Sequence, residues 1–219
     1  MTMQLSDRPV VLFDFDGTVV NTQRAILRVA SRVLVEHGYP EPRTEELLPI
    51  VGPPLEEGFA LVTGADHDEA LALTAAYREL FHEIVTPADC PPLPGMRSLL
   101  DALSASGRAL AVATSRMEET AREMVREQGL TQFRAVCGRV PGVRYSKAES
   151  IAAALDALGA NAAEAVMVGD RKHDVEGARE LGVPCIGLYS GAAEPGEHER
   201  AGAAAIAHDA AELARLLGV

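Results

Sequence analysis

The amino-acid sequence predicts an α/β fold, a three-layer, doubly wound parallel sheet with a small inserted all-α domain. Three observations lead there. Short, continuous apolar runs recur along the chain, helical patterns separate most of them, and roughly 90 residues between the first run and the second hold helical patterns only. Strands buried on both faces read as unbroken apolar runs, and strand–helix alternation implies a parallel sheet covered by helices on both sides.

The first strand is PVVLFD, residues 9–14. After it, residues 22–37 set Ile26, Ala30, Val33 and Leu34 on one helical face and end at Gly38. Pro53 and Pro54 open a shorter helix. Residues 67–85 align Ala70, Leu73, Tyr77, Phe81 and Ile84, with Asp66 and Glu69 spaced for an N-terminal cap. The segment TPADCPPLPG (86–95) holds four prolines and reads as a stiff return linker. The expected organisation is therefore a core domain of residues 1–19 and 89–219 and a helical domain of residues 20–88. In the core, strands at 109–114, 134–138, 165–169, 184–188 and 203–207 alternate with helices at 95–106, 117–128, 147–158, 174–181 and 209–217. Gly107, Gly129, Gly159 and Gly182 follow the first four helices as stop signals.

The chain has 219 residues, 47% hydrophobic but only 4% aromatic and without Trp, so its core is aliphatic. The net charge of -12 argues against nucleic acid or an anionic membrane as a partner, since both call for clustered Lys and Arg. No basic segment followed by an apolar one opens the sequence, and no stretch reaches membrane-spanning length. Cys90, Cys137 and Cys185 are scattered and read as reduced thiols, not as a disulfide or zinc site. A cytoplasmic protein is expected, monomeric or a weak homodimer.

Chemistry concentrates where strands end, the edge at which open parallel sheets bind ligands. VVLFDFDGTVVNT (10–22) delivers Asp14 and Asp16, which the strand period points the same way, followed by Gly17 and Thr18. The second strand ends in Thr114, Ser115 and Arg116, Lys147 opens the helix after the third, and VGDRKHD gives Asp170 and Asp174 after the fourth. Four carboxylates so close raise one another's pKa values, and a hard divalent cation such as Mg²⁺ resolves the repulsion. A metal, a lysine and backbone N–H groups around Gly17 and Thr18 suit a phosphoryl group.

These motifs resemble the haloacid dehalogenase-like hydrolase superfamily over essentially the whole chain, with a Rossmann-like core. DFDGT (14–18) matches the family's first motif, Thr114 the second, Lys147 the third and GDRKHD (169–174) the fourth; the insert resembles a helical type 1 cap. The resemblance implies that Asp14 attacks phosphorus, forming an aspartyl-phosphate, while Asp16 protonates the leaving oxygen and activates water. It implies that Thr114 bonds the phosphoryl group and Lys147 neutralises the nucleophile. It further implies Mg²⁺ held by Asp14, the Asp16 carbonyl, Asp170 and Asp174, with Gly17, Thr18, Ser115 and Arg116 as substrate contacts.

Members that remove halide lack an acid at the second position, and phosphonate-cleaving members lack it and use a cap lysine. Here Asp16 is present, and residues 20–35 contain no lysine. In phosphosugar mutases the cap supplies His and Lys early in the insert, and VNTQRAILRVASRVL has neither. The expectation is a phosphatase acting on a small phosphorylated metabolite, with a mutase or a non-catalytic binding protein as alternatives. VGPPLEEGF (51–59) and GDRKHD resemble a phosphoglycolate phosphatase or 5′-nucleotidase-like subgroup, although Arg171 stands where a small polar residue is common. The family likeness makes residues 48–59 the specificity loop. His82, His173, His198 and His208 read as packing or surface residues, and EPGEHE (194–199) as a solvated helix start.

Overall fold

The computed structural model describes residues 4–190 and 192–219. They form two compact units, one built from the chain up to Val20 and from Pro92 onward, the other from Asn21–Pro91. The first unit contains a six-stranded sheet: β1 (Val10–Phe13), β2 (Ala109–Met117), β3 (Phe133–Arg139), β4 (Ala165–Gly169), β5 (Cys185–Leu188) and β6 (Ala205–Ala207). The strand order is β3-β2-β1-β4-β5-β6, every pair parallel. Every residue of β1 and β4 is buried, which explains their unbroken apolar sequence. The amide of Asp14 donates to the Val168 carbonyl at 2.9 Å, so the ladder continues one residue past β1 and fixes where Asp14 emerges.

β2 does not stop at Thr114 as expected but runs on to Met117, so Thr114, Ser115 and Arg116 lie inside the strand. The cause is a bulge. Ala113 pairs with Cys137 and Met117 with Arg139, so four steps along β2 span two along β3. Gly138 permits this crowding. A Cβ there would lie 2.4 Å from the Arg116 carbonyl oxygen and 2.9 Å from the Glu118 nitrogen.

The second unit, Asn21–Pro91, begins one residue later and ends three residues later than the expected 20–88. Its helices are α1 (Gln23–Glu36), α2 (Thr44–Leu47), α3 (Leu55–Thr63) and α4 (His67–Ile84). α1 buries Ile26, Ala30, Val33 and Leu34, and α4 buries Ala70, Leu73, Tyr77 and Phe81. Phe59 of α3 meets Tyr77 edge-on at 6.0 Å. The Asp66 carboxylate caps α4 by accepting from the Glu69 amide at 3.0 Å. At its ends, the Asn21 amide donates to the Pro91 carbonyl at 2.8 Å. In the first unit, Val20 and Pro92 form an antiparallel bridge.

The remaining helices belong to the first unit: α5 (Met96–Ala105), α6 (Glu118–Glu127), α7 (Lys147–Leu158), α8 (Lys172–Glu180), α9 (Glu197–Ala201) and α10 (Ala210–Leu217). Alternate strand residues Val10, Leu12, Ala111, Ala113, Ala165 and Met167 share one core with Ile151 and Ala154 of α7 and Val175 and Ala178 of α8. Their neighbours Val11, Phe13, Leu110, Val112, Val166 and Val168 are equally buried; α5 packs on β2 and α10 on α5. Each fully buried side chain of this size contributes about 1.5–3 kcal/mol. Among the described residues, no helix is long and apolar enough to cross a membrane.

Two local expectations change. α8 starts at Lys172 rather than 174, because the Asp174 carboxylate turns back to accept from the Arg171 amide at 3.1 Å and so sits in the helix's first turn. The EPGEHE segment is not a solvated start. Glu197 and His198 are both buried, with His198 beneath Gly187, where a Cβ would lie 2.4 Å from the imidazole Cγ.

Candidate active site

The turn leaving β1 is tightly wound. The Val19 and Val20 amides both donate to the Phe15 carbonyl, at 3.0 and 3.1 Å, and the Gly17 amide donates to the Val20 carbonyl at 2.8 Å. Gly17 has φ +79°, and a Cβ on it would lie 2.3 Å from Asp170 Oδ2, so conformation and space both demand glycine. Buried Thr18 donates its hydroxyl to Asp170 Oδ1 at 2.9 Å, tying the loop after β1 to the loop after β4.

Three buried carboxylates converge there. Asp14, Asp170 and Asp174 each offer an oxygen, all within 4.8 Å of one another. Lys147, the first residue of α7, places Nζ 2.6 Å from Asp14 Oδ1, 2.7 Å from Asp174 Oδ1 and 3.2 Å from the Ala113 carbonyl. Ser146 directs this lysine by capping α7, its hydroxyl accepting from the Glu149 amide at 3.1 Å. Burial raises the Asp14 carboxyl to about 7; Lys147 opposes the rise, and the Asp174 and Asp16 charges add to it. Burial also holds Asp170 well above the ordinary carboxyl value, reinforced by Asp14 and Asp174. Lys147 behaves oppositely: burial disfavours its charge, but Asp14 and Asp174 outweigh that and lift it above the usual lysine range.

One lysine cannot balance three buried carboxylates, and Asp170 Oδ2 is buried without a hydrogen-bond partner. Oxygen donors alone, negative in excess, with one oxygen unsatisfied, fit a hard divalent cation such as Mg²⁺.

Asp16 stands outside that triad. Its carboxylate is gripped by Arg116, Nε to Oδ2 at 2.8 Å and Nη2 to Oδ1 at 2.6 Å, in a mostly buried bidentate pair. Arg116 lies within the β2 bulge, between Ala113 and Met117, and reaches Asp16 from there. Thr114 is buried, its hydroxyl accepting from the Arg116 amide at 3.2 Å, and Ser115 is half-buried beside it. Asp14, Asp170, Asp174, Lys147, Gly17 and Thr18 thus meet in one cluster, whereas Asp16 and Arg116 are joined to each other.

Two contributors lie outside the sequence motifs. Ser190, after β5, donates its hydroxyl to the Gly17 carbonyl. Glu197 accepts from Arg171 Nε at 2.9 Å and from the Lys172 amide at 2.8 Å, reaching back 25 residues. The spacing of Glu194 and Glu197 does suggest a turn-closing carboxylate, and the Glu194 amide donates to Glu197 Oε2 at 3.1 Å. The partnership with Arg171 is purely tertiary.

Comparison with known proteins agrees with this architecture. The haloacid dehalogenase-like hydrolase family model matches residues 11–188. A 5′-nucleotidase from Pseudomonas aeruginosa is 36% identical over 185 residues, 84% of this chain and 83% of that protein. The tyrosine-protein kinase PtkA of Mycobacterium tuberculosis is 34% identical over 216 residues, covering 96% of this chain and 72% of that one. Among solved structures, one described as a predicted phosphatase from Clostridium acetobutylicum aligns with TM-score 0.88 at 27% identity, over 97% of this chain and 99% of its own. A haloacid dehalogenase-like family hydrolase from Streptococcus pneumoniae aligns with TM-score 0.87 at 27% identity, over 95% and 98%. With the family match spanning most of the sheet and its acidic edge, the chain belongs to the haloacid dehalogenase-like hydrolase family, in its phosphatase group.

Proposed function

We propose that this phosphatase is Mg²⁺-dependent and hydrolyses a small phosphomonoester of the phosphoglycolate, nucleotide or sugar-phosphate kind through a phosphorylated Asp14. The observation that carries this reading is the buried Asp14–Asp170–Asp174 cluster bridged by Lys147. Mg²⁺ held by Asp14, Asp170, Asp174 and the Asp16 carbonyl would supply charge stabilisation for the phosphoryl oxygens. Asp14 attacks phosphorus as the bond from phosphorus to the ester oxygen breaks. Asp16, which takes up a proton from solvent once Arg116 turns from it to the substrate, hands that proton to the leaving oxygen to release the alcohol. Water then attacks the same phosphorus and gives a proton to Asp16, while the Asp14–phosphorus bond breaks and phosphate departs. Lys147 neutralises Asp14 in both steps. Thr114, Ser115 and the N–H groups of Gly17 and Thr18 bind phosphoryl oxygens, and Arg116, which orients Asp16 at rest, turns to a substrate anion when one binds. The buried thiols Cys137 and Cys185 are in keeping with a reducing compartment such as the cytoplasm.

The test is phosphate release with Mg²⁺ across phosphoglycolate, nucleoside monophosphates and sugar phosphates. Wild type releases phosphate from at least one ester, and Asp14→Asn loses about 10⁴-fold or more in kcat. Undiminished turnover in that variant, or full activity in chelator, refutes the reading.

A further inference from the structure

We propose that Glu197 is a positioning residue that sets the affinity of the acidic cluster for its divalent cation. This rests on the metal reading above and extends it to a residue that touches neither cation nor substrate.

Glu197 is a buried carboxylate, 7% exposed, on a five-residue helix after β5. It accepts from Arg171 Nε at 2.9 Å and the Lys172 amide at 2.8 Å through Oε1, and from the Glu194 amide at 3.1 Å through Oε2. Arg171 alone separates Asp170 from the helix that carries Asp174, and Lys172 is that helix's first residue. Glu197 therefore grips, from outside, the short segment that joins two of the three clustered carboxylates.

The grip has a mechanical purpose. Asp170 and Asp174 repel each other and Asp14, so without a cation the cluster either takes up protons or swings a carboxylate outward to water, and the second response moves the segment. Inside the segment, the Asp174 bond to the Arg171 amide resists this. Glu197 adds a charge-assisted bond to the Arg171 side chain and occupies an otherwise orphan donor at the start of α8. From the same post-β5 stretch, Ser190 bonds the Gly17 carbonyl, so the turn bearing Asp14 and Asp16 is held by it too. A segment with no cluster residue of its own thus references both acidic loops to β5. Groups that orient ligating residues typically govern metal affinity by 10–100-fold.

The experiment is Mg²⁺ titration of the whole protein by calorimetry, paired with melting temperature against Mg²⁺ concentration, for wild type, Glu197→Ala, Glu197→Gln and Ser190→Ala. Glu197→Ala is expected to raise the Mg²⁺ Kd by about tenfold or more, with the Mg²⁺-induced rise in Tm moving to correspondingly higher concentration. Glu197→Gln keeps an acceptor for the Lys172 amide but loses the charge facing Arg171, and recovers only part of the affinity; Ser190→Ala shows a smaller loss. Phosphatase activity of Glu197→Ala returns at high Mg²⁺. An equal fall in Tm with and without Mg²⁺, at unchanged Kd, makes Glu197 merely structural and overturns the proposal. Should Glu197→Ala fail to fold, Ser190→Ala and Glu197→Gln decide it, and wild-type Kd in both overturns it. Absence of any Mg²⁺ binding by wild type refutes the metal reading itself, a result distinguishable from the others.

Discussion

The sheet buries charge at both of its edges, with opposite logic. At the amino edge, Arg8 is buried and its Nη1 donates to the carbonyls of Ala163 and Ala165, each at 2.8 Å, and of Ala162 at 3.3 Å. Its pKa is lowered by burial alone. At the carboxyl edge, three buried carboxylates face one lysine, and one of their oxygens has no hydrogen-bond partner. Backbone carbonyls answer the first charge at Nη1, leaving its buried Nε without a partner, and tie Arg8 to the start of β4. Among the described residues, nothing fully answers the second. Buried charge matched by the fold serves stability; buried charge in excess marks the place where a ligand completes the structure.

Three measurements sharpen that contrast. The largest effect is expected for Lys147→Met, which strips Asp14 and Asp174 of their cation. Metal-free unfolding free energy should fall by about 3–5 kcal/mol by denaturant titration at pH 8, and turnover should collapse with it. The contrast breaks if stability is unchanged. Arg8→Met comes next: loss of the guanidinium bonds should cost about 1.5–3 kcal/mol, while kcat and KM per folded molecule stay at wild-type values. A selective loss of kcat would give the amino edge a functional part it is not assigned here. The smallest effect is on pH. Asp14 is raised to about 7, so below that value a cation must displace a proton, and Mg²⁺ affinity should drop by up to about tenfold per pH unit. The dependence should flatten once Asp170, which is also raised, has lost its proton. Calorimetry in buffers of different ionisation enthalpy reads the released proton directly; binding with no proton release at pH 6 would contradict it.

Much of the fold was legible because its cause is local. Unbroken runs such as VVLF and AVMVG stand out when both faces of a strand are covered, and Asp66 and the glycines mark helix ends in one dimension. The convergence of residues 14, 147, 170 and 174 was legible too, since each follows a strand or opens a helix at the same sheet edge. What stayed hidden depends on a partner element. The β2 bulge from which Arg116 reaches Asp16 exists only against β3 and Gly138, where the missing side chain is the signal. Glu197 looked like one more surface acid, because the groups that bury and bind it are Arg171 and Lys172, brought near by β5. Composition predicts exposure on average; it does not reveal which acid the fold encloses.

The pairing at the two ends of the helical unit has a consequence for how such a chain can change. Its entry and exit, Asn21 and Pro91, are joined by a hydrogen bond, and Val20 and Pro92 bridge antiparallel immediately inside. To the sheet, everything between those points is the loop of a hairpin, and closure entropy grows only logarithmically with loop length. Insertion, deletion or wholesale exchange of that loop leaves the sheet's strand order untouched. The junction works as a socket, at which a lineage or an engineer can fit a different attachment while the acidic edge keeps its register.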